Sequence, residues 1–391
     1  MDGSAPGPAA HPTGDGTVGV TGSRAASVLA ALSGPPPGGL EPPPTLLAGL
    51  MATGARIEGV TRRWGAPVEC PWPDLLTERA TLGGLVAQGR TSCGGATRLL
   101  RSLDGWVAVS LARPTDVELL PAWLALTGAD AAGPDPRWPP DEDTWDVLAR
   151  SLRRCAAPAL ATAAGVVGLP VGVLGERGPD PDGGVAVHAI GPGAKPGPPA
   201  TVLDLSTLWA GPLCGRLLGA AGATVLKVTA TLRPDGARSG DAAWYEALNG
   251  DKHHVELPLH TPAGRRELRG LIGSVDVVVE SARPRGLEQM GIVATDVLAR
   301  GTGPRAWVSI TGHGRPSARV AFGDDAAVAG GLVVTDDDGP WFCADAIADP
   351  LSGIAAADAT LACLAGGRRA LVEVAMAGVA AAHAAPTPPG P

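Results

Sequence analysis

Thr201–Val228 reads TVLDLSTLWAGPLCGRLLGAAGATVLKV, and the α/β reading of the chain starts here. Val202 to Leu205 is an apolar run of strand length, Pro212 to Ala221 has the length of a short helix, and Thr224 to Val228 is a second apolar run. Strand, helix and strand in such quick succession form a βαβ unit, whose crossover makes the two strands parallel. The rhythm continues toward the C-terminus, with strands predicted at Val275 to Glu280, Ala306 to Ile310 and Leu371 to Val374. Helices are predicted at Pro262 to Ile272, Gly286 to Met290, Thr295 to Ala299 and Pro350 to Ala365. Residues 201–386 therefore read as an α/β domain around a parallel sheet, and such sheets bind ligands beyond the carboxyl ends of their strands.

Upstream, the pattern is different. Residues 1–44 are rich in Gly, Pro, Ala and Ser, with one short apolar run from Val28 to Leu32, and read as disordered. Residues 45–175 read as a small α+β domain. It holds the helix-like TLLAGLMATGA, the glycine-rich LGGLVAQGRTSCGGATRLL, and a strand from Gly105 to Leu111 bounded by Asp104-Gly105 and Arg113-Pro114. Helices follow at Val117 to Leu126 and Thr144 to Arg153, then a strand from Leu169 to Leu174. Residues 176–200 are a Pro/Gly-rich linker with a short strand near Val185 to Ile190, and 387–391 read as a disordered tail.

The 391 residues carry a formal charge of −8 and no basic stripe, which argues against a nucleic-acid partner. Only Lys195, Lys227 and Lys252 are lysines; Ala, Gly, Pro and Arg run high throughout, so composition itself is a poor functional clue. The six cysteines are scattered without a CxxC pair, indicating neither a zinc site nor a disulfide framework. The N-terminus lacks a signal-peptide pattern, and the uncharged stretch Cys155 to Gly175 reads as helix, turn and strand rather than a membrane span. A soluble cytoplasmic protein without metal is expected.

The C-terminal half resembles the class III CoA-transferases, a family that includes formyl-CoA and carnitine CoA-transferases and 2-methylacyl-CoA racemases. Four landmarks come in the family's order: Thr201–Val228, then ALNGDKHHVELPLHTPAGRREL from Ala247, VDVVVESARPRGLEQMGI from Val275, and the run from WVSITGHG to FCADAIADPLSG ending at Gly353. The resemblance implies a Rossmann-like CoA-binding catalytic domain. It also gives the N-terminal half a role, because SCGGATRLLRSLDGWVAVSLA, Ser92 to Ala112, is similar to the family's mobile glycine loop and strand. That element follows the fourth landmark in the family and precedes the first one here, as in a circular permutation; a truncated relic is the alternative.

The resemblance implies coenzyme A as a substrate, a carboxylic acid as acceptor, and a homodimer. It matches Asp349, in Asp349-Pro350-Leu351-Ser352-Gly353, to the family's nucleophile, which forms an aspartyl-CoA thioester. Spacing alone reads the same Asp-Pro as an ordinary helix N-cap with Pro at N1. Gly94 and Gly95 would close over the site with their N–H groups, or be a plain turn. Trp209 and Ala210 fall at the family's CoA-contacting turn, though Trp209 also suits a core. Arg238, Lys252 and Met290 are the remaining candidate CoA contacts, with surface solvation as the bland reading of the two basic residues. Thr229 and Gln289 depart from the family pattern. Racemases add a histidine near Phe322 to Asp325, where this chain has none; His313 is the one candidate for the same cleft, and Asp324 and Asp325 otherwise begin a helix. A racemase or a catalytically silent CoA-binding paralogue is therefore the alternative to a transferase.

Overall fold

The computed structural model describes residues 17–128, 137–179, 181–282 and 284–384. Among the described residues, twelve strands are formed. The first four are β1 (Thr97–Arg101), β2 (Trp106–Ser110), β3 (Val171–Val173) and β4 (Val185–Ala189). Next come β5 (Thr201–Asp204), β6 (Thr224–Ala230), β7 (His253–Leu257) and β8 (Val277–Glu280). The last are β9 (Ala306–Thr311), β10 (Val333–Asp336), β11 (Gly339–Phe342) and β12 (Ala370–Ala375). Seven of them make one sheet in the order β4-β12-β9-β8-β5-β6-β7. Every pair in it is parallel except β4 with β12, which is antiparallel.

Alternation explains why this sheet is covered on both faces. Val277 and Val279 join the core that also takes Leu213, Leu217, Leu351 and Ile354, whereas Val278 between them joins Leu268 and Ile272 on the other side. The helices Ala210–Ala220, Ala348–Ala365 and Pro44–Arg63 pack together on the first face, and Pro262–Ser274 lies on the second. All five strands expected after Thr201 are present; the sheet is extended by β7, a half-exposed edge, and by β4 from the linker.

The antiparallel sheet β1-β2-β3 has its own core, in which Val107, Val109 and Val171 meet Trp123, Trp145 and Leu160. Its opposite face, Leu99 and Ala108, packs on Val328 and Phe342 of the larger unit. Two expectations are corrected here. Helix Pro44–Arg63 belongs to the large core and not to a small domain starting at 45, because it packs on the helix Ala348–Ala365 and its buried Leu46, Leu50 and Ile57 join the core which that helix shares. Within 1–44, residues 1–16 lie outside the described residues, but Thr17–Ala31 is a helix with Leu29 fully buried. The chain after it is stitched down: Ser33 Oγ donates to the Leu29 carbonyl (2.7 Å) and accepts from the Ala344 N–H (2.9 Å). The run Val28 to Leu32 is the anchor, burying apolar surface where a Gly/Pro-rich composition suggested none. The expected tail at 387–391 also lies outside the described residues, and among the described residues no helix is long and apolar enough to cross a membrane.

Candidate active site

Asp349 sits in the first turn of helix Ala348–Ala365, with Ile347 in the N-cap position. The capping reading of Asp349-Pro350 is thereby corrected, since the aspartate is already inside the helix and the cap position belongs to Ile347. It faces the start of a second helix, Ala210–Ala220, whose first N–H, that of Ala210, favours its ionised form. Close approach of the two helices is enforced at Gly353, where a Cβ would lie 2.5 Å from the Ala210 carbonyl oxygen. Gly323 closes a third side: a Cβ there would fall 2.4 Å from Asp349 Oδ2 and 2.3 Å from the Ala346 carbonyl oxygen.

Two more carboxylates share the site. Asp324 accepts from the Ala346 N–H (3.0 Å) and from Thr97 Oγ1 (3.3 Å), tying the glycine loop's strand to the floor of the site. Asp345 is fully buried, and neither of its oxygens has a hydrogen-bond partner. Its ion-pair partner is Arg79, with Nε 3.4 Å from Oδ2. Arg79 comes from the short helix Glu78–Gly83, is held with its guanidinium carbon 5.8 and 5.7 Å from the Trp209 and Trp244 rings, and keeps 28 % of its side chain exposed. It passes directly under the glycine loop, since a Cβ on Gly94 would meet Nη2 at 2.5 Å.

This grouping shifts the acids. Burial pushes the Asp349 carboxyl up to about 7, with Arg79 opposing and the charges of Asp324 and Asp345 adding to the rise. Burial likewise lifts Asp345 to about 6, against the pull of Arg79, and raises Asp324. The Cys93 thiol beside them is pushed up to about 12 by burial and by Asp345, so it stays protonated and is no thiolate nucleophile. Backbone geometry marks the same spot. Among the described residues, only Leu208, Ala344 and Ala346 combine a side chain with positive φ (68°, 55° and 42°), and they flank Trp209 and Asp345. Such conformations cost about 1 kcal/mol or more each and cluster where a site is held in place against local preference.

Of the residues singled out from sequence, Asp349, Ala210 and the Gly94-Gly95 loop come together here, and Gly95 has the left-handed φ of 79° that favours glycine. The others do not join them directly. Trp209 is a core residue, 1 % exposed and edge-on to Trp244 at 5.5 Å, so its indole is not an open ligand platform. Lys252 is corrected from CoA contact to structural ion. Its three ammonium donors go to Asp204 Oδ2 (2.9 Å), the Pro212 carbonyl (2.8 Å) and Asn249 Oδ1 (2.9 Å), leaving none for a phosphate. Arg238 is exposed on the turn Gly236–Ser239, its guanidinium carbon 5.8 Å from the Tyr245 ring. Met290 packs against the core on the sheet face opposite the helix that carries Asp349. His313 is corrected as well: it lines a separate cavity of about 490 Å³ with Arg177, Ser317 and Glu373, and burial, aided by Arg319, lowers it to about 4. Arg79 and Asp345 were missed. Asp345 stands four residues before Asp349, a spacing that could have flagged a second carboxylate, but nothing in the sequence around Arg79 points to the site. Among the described residues no cluster of three or more His, Cys, Asp or Glu could hold a metal ion.

Residues 200–389 match the family model described as CoA-transferase family III. The chain is similar to succinyl-CoA--D-citramalate CoA-transferase of Chloroflexus aurantiacus, at 30 % identity over 34 % of this chain and 35 % of that protein. It is also similar to succinate--glutarate CoA-transferase of Agrobacterium fabrum, at 30 % identity over 42 % of this chain and 45 % of the relative. Among solved structures it resembles a CAIB/BAIF family protein from Brucella suis, at 25 % identity and a TM-score of 0.43 over 46 % of this chain and 53 % of the other. The chain thus spans less than half the length of these curated relatives.

Proposed function

Because the C-terminal half carries a CoA-transferase family III segment, we propose that this protein moves CoA from an acyl-CoA to a carboxylic acid, with Asp349 as the covalent carrier. The observation that supports it most is the setting of Asp349, a partly accessible carboxylate at the junction of two helix starts with the glycine loop close by. Asp349 attacks the donor thioester and forms a mixed anhydride while CoA leaves as thiolate; the thiolate then attacks the Asp349 acyl carbon and releases the donor acid. An aspartyl-CoA thioester remains on the enzyme. The Ala210 N–H and the loop amides near Gly94 and Gly95 are the donors available to the oxyanions that develop in these steps.

Arg238 is an exposed cation proposed for the phosphate end of CoA, and Met290 is proposed as a further apolar contact. We further read the N-terminal half as the family's second domain in permuted order, which is supported by the glycine loop's reaching the Asp349 site from a position earlier in the chain. A homodimer in the cytoplasm is part of the same proposal. Racemisation is disfavoured, because Gly323 faces Asp349 with no room for a side chain and His313 opens on another cavity. The test is intact-protein mass spectrometry after mixing with a panel of short acyl-CoAs and no acceptor. A CoA adduct that maps to Asp349 supports transfer. Donor binding without an adduct, across the panel, defeats it in favour of the silent reading, and α-proton exchange in deuterium oxide defeats it in favour of racemisation.

A further inference from the structure

We propose that Arg79 binds the carboxylate of the acceptor acid while Asp349 is occupied as its thioester, so that one guanidinium serves the enzyme's own carboxylate and the incoming one in turn. The inference rests on the CoA-transfer reading and adds to it the group that selects the acceptor.

Three carboxylates, Asp324, Asp345 and Asp349, and the neutral thiol of Cys93 face the site, and Arg79 is the cation that acts on all three acids. Asp345 engages it from the Nε side at 3.4 Å. Among the described residues the guanidinium makes no hydrogen bond, so its remaining N–H groups are uncommitted. Asp345, buried and without a hydrogen-bond partner of its own, is what fixes the head group in place. The Trp209 and Trp244 rings wall it on the protein side, and Gly94 lies against Nη2. A planar fork with free donors, partly exposed and held beside the reacting carboxylate, suits a second carboxylate.

The charge balance of the reaction supplies the timing. Before reaction, the ionised Asp349 is one of the anions that Arg79 offsets. Conversion to the thioester makes Asp349 neutral and frees that share of the guanidinium's charge in a poorly solvated site. An anionic acceptor restores the balance; water does not. The acceptor oxygen then attacks the Asp349 carbonyl carbon, the C–S bond breaks and CoA leaves as thiolate. Attack of that thiolate on the acceptor's acyl carbon breaks the anhydride C–O bond, yielding the new acyl-CoA and the Asp349 carboxylate. No oxidant and no net proton are consumed.

The experiment loads the aspartyl-CoA thioester from an acyl-CoA, removes excess donor, and times its discharge by sodium succinate and by neutral hydroxylamine, in the parent and in Arg79→Gln and Arg79→Lys. Discharge by succinate is expected to slow at least tenfold in Arg79→Gln, while discharge by hydroxylamine stays within threefold. Arg79→Lys, which keeps the charge but not the fork, should be intermediate with succinate and also covers the case in which the Gln variant does not fold. Equal slowing with both nucleophiles, or no slowing with either, overturns the role of Arg79 while the parent's adduct leaves CoA transfer standing. Failure of the parent to form any thioester overturns the transfer reading and this proposal with it.

Discussion

Asp349→Asn separates chemistry from structure, and the surroundings of Asp349 set both the sign and the size of the effect. Burial raises this carboxyl from the usual 3.8 to about 7. A group whose pKa is raised by folding stabilises the fold fully below its unfolded value, and that contribution is lost as pH rises through the folded value. The parent should therefore lose stability through Asp349 between about pH 4 and pH 8, whereas the asparagine, which does not titrate, should not. A shift of about three units has a ceiling of ~4 kcal/mol, and partial access to solvent reduces the expected gain to about 2 kcal/mol at pH 8.5, with little or none at pH 4.5. Asparagine can still accept from the Ala210 N–H, so no compensating loss of comparable size follows. Denaturant unfolding at the two pH values measures the difference directly. CoA transfer by the same variant should fall by about 10³ or more, because the anhydride and thioester cannot form. A stability difference that is the same at both pH values refutes the account of Asp349 as a buried, reluctant anion, and transfer within tenfold of the parent refutes its catalytic role.

Other perturbations test the neighbours. Adduct formation by the parent should rise with pH around a midpoint near 7 as Asp349 ionises; a rate that is flat from pH 5.5 to 8.5 contradicts this. Gly323→Ala places a methyl against both Asp349 Oδ2 and the Ala346 carbonyl, and should cost about 1–3 kcal/mol in denaturant unfolding along with most of the activity. Lys252→Met leaves the fully buried Asp204 with Lys227, 3.6 Å away, as its remaining counter-ion, so a loss of about 3 kcal/mol is expected while CoA affinity in the folded fraction is retained; an unchanged melting curve with tenfold weaker CoA binding by calorimetry would restore Lys252 as a ligand. At Gly95 a Cβ meets nothing within 4 Å, so the main effect of Gly95→Val is expected from the 79° φ, and turnover should drop more than CoA binding weakens.

The parallel strands were legible because burial on both faces demands runs such as Val277-Val278-Val279, which leave a plain apolar mark on the sequence. Strands with one exposed face or edge left a weaker one. β1, TRLLR, and β7, HHVEL, carry polar residues because part of each strand faces solvent or neighbouring side chains, and neither was predicted. Asp349 and the glycine loop could be found because each lies in a contiguous motif. Arg79 could not, since its importance comes from contacts with Asp345, Gly94 and two tryptophans far from it in sequence. The misreading of Lys252 has a related cause: motif position locates a residue, but only the surroundings show that its three hydrogen bonds are already taken.

The linker's β4 has a consequence for how the chain behaves in solution. By pairing antiparallel with β12 from Val185 to Ala189, it caps the row of backbone donors and acceptors that would otherwise end the large sheet. Its own residues are partly or wholly exposed, with His188 beside Glu373. A shortened linker that deletes Val185–Ala189 would leave the buried, apolar β12, ALVEVA, as an open template for a strand from another molecule. This segment is thus also a guard against edge-to-edge aggregation, and trimming it should make the protein self-associate.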